Sequence, residues 1–465
     1  MTAGVTSGHG RNSHVTGIIT PDLIAKASVA SLMNHLTICK AMWMDPSKEF
    51  RQGYGDTVRV RVPSRFKPGR GLTITRAQLQ RLKERAVPVK LDKEINQPWE
   101  LTQSELTLDL VSMTEQVISP VMLAVAQSAD RDAADMYKYV SNLEMPRGRR
   151  DAPLANSVDP VIATGRDLNH IAALLDNFSA KKAKRSIHLT PGAYREIAEE
   201  KTVIPSGLAG RDRAYTSGEV GMVQGFDLMW TQQTAQHTVG KYGSSSGTHH
   251  HGNTTAMQVN AEVSDGYVLE SDDYDGQWTS TITLKSLPAN SVVGSSEILL
   301  REGDIVQFPT LKGMNPQPDV DNRQVLAADR KFVVREDVAR GSGTTVNVKV
   351  SPRIIPASAG GDAARFATVN KPLAADTVMV VWGKPEQAYR EIMAFHKEAF
   401  VFVMATHVDP KGSAYAATRS YMGFSASILA DTDFFTRSDM MRADILYGFH
   451  PLTPHDLACR TRVIE

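Results

Sequence analysis

A chain of 465 residues has room for two or three domains with real cores. Apolar residues at 42% and charged residues at 22% are ordinary globular values, which exclude wholesale disorder. The formal net charge of +1 argues against a dedicated nucleic-acid binder, which carries a clear basic excess. Two cysteines, Cys39 and Cys459, stand near opposite ends with no CxxC pair. That excludes a zinc ribbon or redox motif and fits reduced thiols. Residues 1–12 are polar, and no apolar run approaches the roughly 18 residues of a membrane span. The expectation is a protein made and kept in the cytosol, without membrane contact.

Residues 1–17 read as an arm. Between 21 and 40 the apolar residues Leu23, Ile24, Ala27, Leu32, Leu36 and Cys39 recur at three- and four-residue steps, a helical pattern. Val58, Val60 and Val62 then alternate with Arg59 and Arg61 between Gly55 and Pro63, predicting a strand with one charged face. A second strand is expected at 87–91. From Arg59 to Lys93 there are eleven Lys/Arg against two acids, Glu84 and Asp92. A basic projection of this length buries little of itself. It is either a solvated loop or an arm across an acidic partner subunit, with Arg59, Arg61, Arg65, Lys67 and Arg70 as contact candidates.

The strongest helical signal covers 112–142. Ser112 and Glu115 have capping-box spacing, and Ile118, Met122, Val125, Ala129, Ala133, Met136 and Val140 line one face. Such a helix is about 40 Å long, and Pro120 either kinks it or starts it behind Ser119. Asp130, Arg131, Asp132 and Asp135 mark the opposite face as solvated. After a loop at 146–157 the pattern predicts a helix at 167–178, a strand at 186–189 and a helix at 191–199.

Beyond Gly225 the composition shifts to Thr, Val, Gly and Asp. Short alternating runs at 256–263, 277–284, 304–308, 331–334 and 345–350 are separated by turn signals such as Asp265-Gly266, Asp275-Gly276 and Glu302-Gly303. This predicts an all-β sandwich or barrel inserted into an otherwise mixed α+β chain. Strand signals return at 378–406, and 423–429 and 443–447 close the mixed domain.

The tempting chemical motifs fail on context. Residues 243–247 satisfy GxSxG, but no helix follows as a nucleophile elbow requires. His249, His250 and His251 have no supporting carboxylate or cysteine at ligand spacing. The stretch 271–276 has part of a calcium-loop pattern, yet Ile282 stands where the bidentate acid belongs. His396 and His407 are isolated. Glu262, Asp265, Glu270, Asp272, Asp273 and Asp275 form an acidic run without Lys or Arg, either a solvated edge or a partner for a basic projection. No cofactor and no catalytic site are expected.

The order of elements resembles the Hong Kong ninety-seven-type capsid fold: arm, helix, basic extended hairpin, long helix, α/β region and closing strands. Local wording is similar to the P-twenty-two-type coat proteins of tailed phages. The matching segments are 55–63 (GDTVRVRVP), 218–227 (GEVGMVQGFD), 395–400 (FHKEAF), 443–449 (ADILYGF) and 457–460 (LACR). The resemblance implies an N-terminal arm and helix (1–48), an extended loop with flanking strands (49–105) and a peripheral domain with spine helix (106–145). It further implies an axial domain (146–225, completed by 381–465) and an inserted β-barrel (226–380), with 233–255 projecting toward a neighbouring capsomer. It also implies a major capsid protein that forms the pentons and hexons of an icosahedral shell. The shell would enclose double-stranded DNA contacted non-specifically, be built with a scaffolding protein and a portal ring in the bacterial cytoplasm, and leave room for decoration proteins. The rivals are a cellular nanocompartment shell of the same fold, told apart by its enzyme cargo, and a carbohydrate-binding virion protein, told apart by particle size.

Overall fold

The structure, a computed structural model, describes residues 21–44, 57–62, 85–101, 114–146, 162, 165–199, 221–243, 252–265, 279–316, 325–359, 366–407, 415–433 and 438–464. Its centre is a helix that begins regular α-helical turns at Ser119, with Pro120 in the first turn where a missing N–H costs nothing. A wider turn, Thr114–Ile118, precedes Ser119–Ala134, and a tighter one, Asp135–Tyr139, extends it. Proline therefore starts the α-helix and does not kink it.

The apolar stripe Met122, Val125, Ala126, Ala129 and Ala133 packs against helix Pro21–His35 and a sheet built on the long strand Ser438–Pro451. Phe424–Asp433 pairs with the first half of that strand and Phe400–Ala405 with the second. Lys93–Leu101 runs along its other edge. Alanines on the helix let it approach the sheet closely, so Phe402, Tyr447 and Phe449 fill the space, with Phe402 and Phe449 stacked at 5.0 Å.

Asp130 is buried, contrary to the solvated face expected for it. Helix Pro21–His35 is followed by a four-residue helix, Ile38–Ala41, whose first N–H groups need acceptors. Asp130 Oδ2 accepts from Thr37 N (2.8 Å) and Thr37 Oγ1 (2.7 Å), and Oδ1 accepts from Ile38 N (3.1 Å) and Cys39 N (3.0 Å). One carboxylate thus ties the N-terminal helices to the central helix across 90 residues of sequence.

The valine–arginine alternation makes strand Thr57–Val62, antiparallel to Arg85–Lys90. Val60 and Val89 bury themselves on Val401, Val403 and Leu452, and Arg59 and Arg61 face outward.

A second sheet centres on Ala388–His396. Ala458–Val463 flanks one side; Arg185–Leu189 and Ala235–Thr238 share the other. Phe226–Trp230 adds parallel to Arg185–Leu189. Ile187, Leu189, Phe226, Ile392, Ala394, Cys459 and Val463 form one core with helices Gly165–Asn177 and Pro191–Glu199.

The inserted β region closes into a six-stranded barrel in the order Ile305–Met314, Val325–Val334, Val346–Ser351, Ser280–Lys285, Gly252–Val259, Val378–Trp382. Each strand sends two side chains inward at i and i+2: Val306/Phe308, Phe332/Val334, Val348/Val350, Ile282/Leu284, Met257/Val259 and Met379/Val381. The strands Phe226–Trp230 and Ala235–Thr238 belong to the second sheet, and the last barrel strand comes from the segment where apolar signals return at 378.

Replacing Asp130 with alanine strips three backbone N–H groups of their acceptor. We expect Asp130→Ala to lower the unfolding free energy by on the order of 3 kcal/mol, and Asp130→Asn by less. Urea unfolding of the soluble subunit checks this; an unchanged midpoint for the alanine variant would contradict it.

Candidate functional site

The second sheet has two differently covered faces. On the face away from the two helices, Glu391 and Arg462 are register partners on adjacent strands, and Met393 partners Arg460. Period-two geometry therefore puts Glu391, Arg460 and Arg462 side by side, and all three are fully buried. Arg462 Nε donates to Glu391 Oε1 at 2.7 Å, and Arg460 Nη1 lies 3.5 Å from the same oxygen. One further donor of each guanidinium reaches into the barrel: Arg462 Nη1 to Trp382 O (2.6 Å), and Arg460 Nη2 to Gly303 O. Gly383 follows Trp382 with φ +105°, and a β-carbon there would lie 2.9 Å from Arg462 Nη1. Only glycine lets the backbone turn this close.

Beside the arginines, Asp304 is fully buried. Its Oδ2 accepts from Arg301 N (2.8 Å) and Gly240 N (3.0 Å), and its Oδ1 from His237 Nε2 (2.8 Å). Tyr137, at the end of the central helix, completes the chain 3.1 Å from His237 Nδ1. Burial lowers the His237 pKa despite the carboxylate, so the ring is neutral and its Nε2–H donates to Asp304. Nδ1 then accepts from the Tyr137 hydroxyl, whose own pKa burial raises. Burial alone would raise the Glu391 carboxyl; Arg460 and Arg462 outweigh it and hold it below its ordinary value. Burial pushes Arg460 down to about 10, which still leaves it charged at neutral pH.

This network is the polar half of a seat on which the barrel stands. Its apolar half lies on the barrel's outer surface, where the alternation leads one to expect polar residues. Ile305 and Val333 point outward and bury against Leu143 and Met145, with Trp382 packed beside them. Lys331 lays its ammonium 4.0 Å over the Trp382 ring and donates to Leu143 O. Arg335 donates to Lys138 O at 2.5 Å and sits 4.0 Å over Tyr139. The end of the central helix, the second sheet and the barrel meet at this one place.

The seat was not among the residues singled out from sequence. Of those that were, Arg59 and Arg61 lie exposed on the strand Thr57–Val62; Arg65, Lys67 and Arg70 lie outside the described residues. Glu262 is exposed. Asp265 is half-buried and already engaged within the chain, accepting from Ser280 Oγ and lying 3.9 Å from Arg353 Nε. Asp272, Asp273 and Asp275 lie outside the described residues, as do His249, His250, His251, most of the GxSxG stretch and the calcium-loop-like segment. Cys39 and Cys459 are both buried and unpaired, and burial pushes the Cys459 thiol up to about 12. Among the described residues no three metal-ligand side chains cluster, and no helix is long and apolar enough to cross a membrane.

The model of the family described as "P22 coat protein - gene protein 5" matches residues 21–459, so the chain belongs to the P22 coat protein family. No curated protein matches by sequence. Among solved structures the chain is similar to one titled for Mycobacterium phage Che8, at 10% identity and a TM-score of 0.39, covering 92% of this chain and 90% of that one. It is similar also to the capsid of Ralstonia phage GP4, at 8% identity and a TM-score of 0.38, covering 100% and 99%. The capsid of cyanophage P-SCSP1u is matched at 11% identity and a TM-score of 0.38, covering 88% and 84%.

Two outcomes follow from the seat and its surroundings. Glu391→Gln leaves two buried guanidiniums without their nearest counter-charge, and we expect it to cost on the order of 3 kcal/mol in thermal or urea unfolding; a wild-type melting curve would contradict the arrangement. The second concerns acid. Burial lowers His188 to about 4, and His237 and His396 are lowered too, chiefly by burial. A histidine whose folded pKa lies below its unfolded value binds fewer protons when folded, so its stability contribution is complete above pH about 6.5 and falls as pH drops toward 4. His188, stacked 5.2 Å from Phe395, would contribute about 1.4 kcal/mol per pH unit in that window. Melting temperature measured from pH 7 to 4.5 should fall more steeply for wild type than for His188→Gln; parallel curves would contradict this.

Proposed function

We propose that this coat protein builds the pentons and hexons of an icosahedral shell around double-stranded DNA, assembled in the host cytoplasm with a scaffolding protein and a portal ring. The observation that carries the reading is the family match along nearly the whole chain, from residue 21 to 459. In this reading the protein works by association and performs no chemistry. The domain limits given above go with it, with the inserted segment opening after Thr238 and running through Trp382, since Phe226–Trp230 and Ala235–Thr238 pair within the second sheet.

The mechanism is distributed: many modest contacts, repeated by symmetry, close a shell that no single contact would hold. The projecting strand pair is the strongest contact candidate. Its valine face is consumed by Val401, Val403 and Leu452, which leaves Arg59 and Arg61 facing outward from a rigid root. Charge there sets which neighbour docks, and in which register, more than it adds affinity. Glu262 on the barrel, with Asp272, Asp273 and Asp275 further along the chain, supplies the opposite sign for a neighbouring copy.

Reversing Arg59 and Arg61 to glutamate together should leave the subunit's melting temperature unchanged, because neither side chain enters the core. Shell formation with the scaffolding protein, viewed by negative-stain electron microscopy, should fail or yield misshapen particles. Normal shells would rule out this contact.

A further inference from the structure

Helix Gly165–Asn177 ends in a turn that carries Lys181, Lys182 and Lys184, all exposed, immediately before strand Arg185–Leu189. The turn is rigid. Ser179 and Lys184 hold left-handed backbone at φ 58° and 61°. Arg185 lies beneath, its side chain 1% exposed, and cross-braces the turn from within. Its Nε donates to Lys181 O (2.8 Å), and one Nη donates to Ala180 O (2.5 Å) and Asp176 Oδ1 (2.6 Å). From the neighbouring strand end, Lys397 N donates to Lys184 O at 3.1 Å, which brings a fourth lysine alongside.

Five cations therefore converge at one corner of the second sheet: Lys181, Lys182, Lys184, Lys397 and the buried Arg185. Two carboxylates stand near them. Asp176 is shared between Arg185 and Lys182, the latter at 3.7 Å, and Glu398 lies beside His396. The local excess is large against a whole-chain net charge of +1. The field is also felt by a neighbour: His396 is held low by burial first and then by Lys181, Arg185 and Lys184. A helix C-terminus attracts cations only over its last turn, and Lys181, Lys182 and Lys184 lie past it. The dipole therefore does not account for them.

We propose that this lysine turn is a binding site for the phosphate backbone of double-stranded nucleic acid. Exposed lysines are hydrated point charges without the planar fork that selects a single carboxylate, so a row of them suits a sequence-independent line of phosphates. Pre-organisation by Arg185 spares the ordering cost a mobile lysine tail would incur. The proposal rests on the reading that the shell encloses DNA and specifies which residues of the chain meet it.

The test is fluorescence anisotropy of a labelled 30-base-pair duplex (roughly three helical turns) titrated with the full-length soluble subunit at several salt concentrations. Wild type should bind weakly, with affinity falling as salt rises. Lys181→Ala, Lys182→Ala and Lys184→Ala combined should reduce the salt slope by about 2 to 3, since each phosphate contact contributes about 0.9. Arginine at the same three positions should restore the slope. A control combination on the barrel, Lys241→Ala with Lys285→Ala and Lys349→Ala, should leave it unchanged. No duplex binding by wild type, or an unchanged slope in the first variant, would overturn the site. So would tighter binding of polyglutamate than of duplex per charge, which would make the turn an acidic-peptide site. The reading on which the proposal rests is measured separately, by nuclease-protected DNA in wild-type particles. Protected DNA with an unchanged slope would sink the site alone, and empty particles would sink the reading.

Discussion

Glu391, buried between Arg460 and Arg462, is the interaction on which the rest of this structure depends. Three charges without water are costly unless every one is answered. Here the carboxylate answers both arginines, and the arginines spend other donors on Trp382 O and Gly303 O of the barrel. The geometry that satisfies the charges therefore also fixes where the barrel stands. An apolar joint of the same area would be as strong but would tolerate sliding. A buried ionic one resists sliding, because a shift would pull Arg462 Nε off Glu391 Oε1 and both guanidiniums off their carbonyl partners.

That constraint sets how force passes through the subunit. The barrel is filled by twelve inward side chains and has an apolar outward patch, Ile305 and Val333, at the place where it sits on Leu143 and Met145. The central helix reaches the same place through Tyr137, Lys138 and Tyr139. Body and barrel should thus behave as one piece. The strand pair Thr57–Val62 and Arg85–Lys90 packs through Val60 and Val89 on a small aliphatic patch of Val401, Val403 and Leu452.

Much of the architecture was legible in the sequence because it rests on periodicity. Valine alternating with arginine at 58–62, the stripe from Ile118 to Met136, and the short alternating runs of the barrel each bury the residues that the pattern selects. Two kinds of feature were not legible. Asp130 looks like one more acid on a solvated helix face, but it caps the helix Ile38–Ala41, and nothing local announces a partner 90 residues away. Arg460 and Arg462 lie in a segment for which the residue pattern predicted no strand. Their burial follows only from pairing with Ala388–His396, where Glu391 is an isolated acid in an apolar run. That lone acid, opposite a terminal strand with arginines two apart, was the one available signal.

The central claim is that barrel and body form a single rigid unit through Glu391, Arg460 and Arg462. The most direct measurement is a cryo-electron microscopy map of the assembled shell in which each symmetry-distinct copy is built independently. The account predicts one barrel orientation on the body in every copy, with the Glu391–Arg462 pair intact in each and the differences between copies confined to the projecting strands. Barrels tilted differently from copy to copy, or a seat opened in some of them, would contradict it.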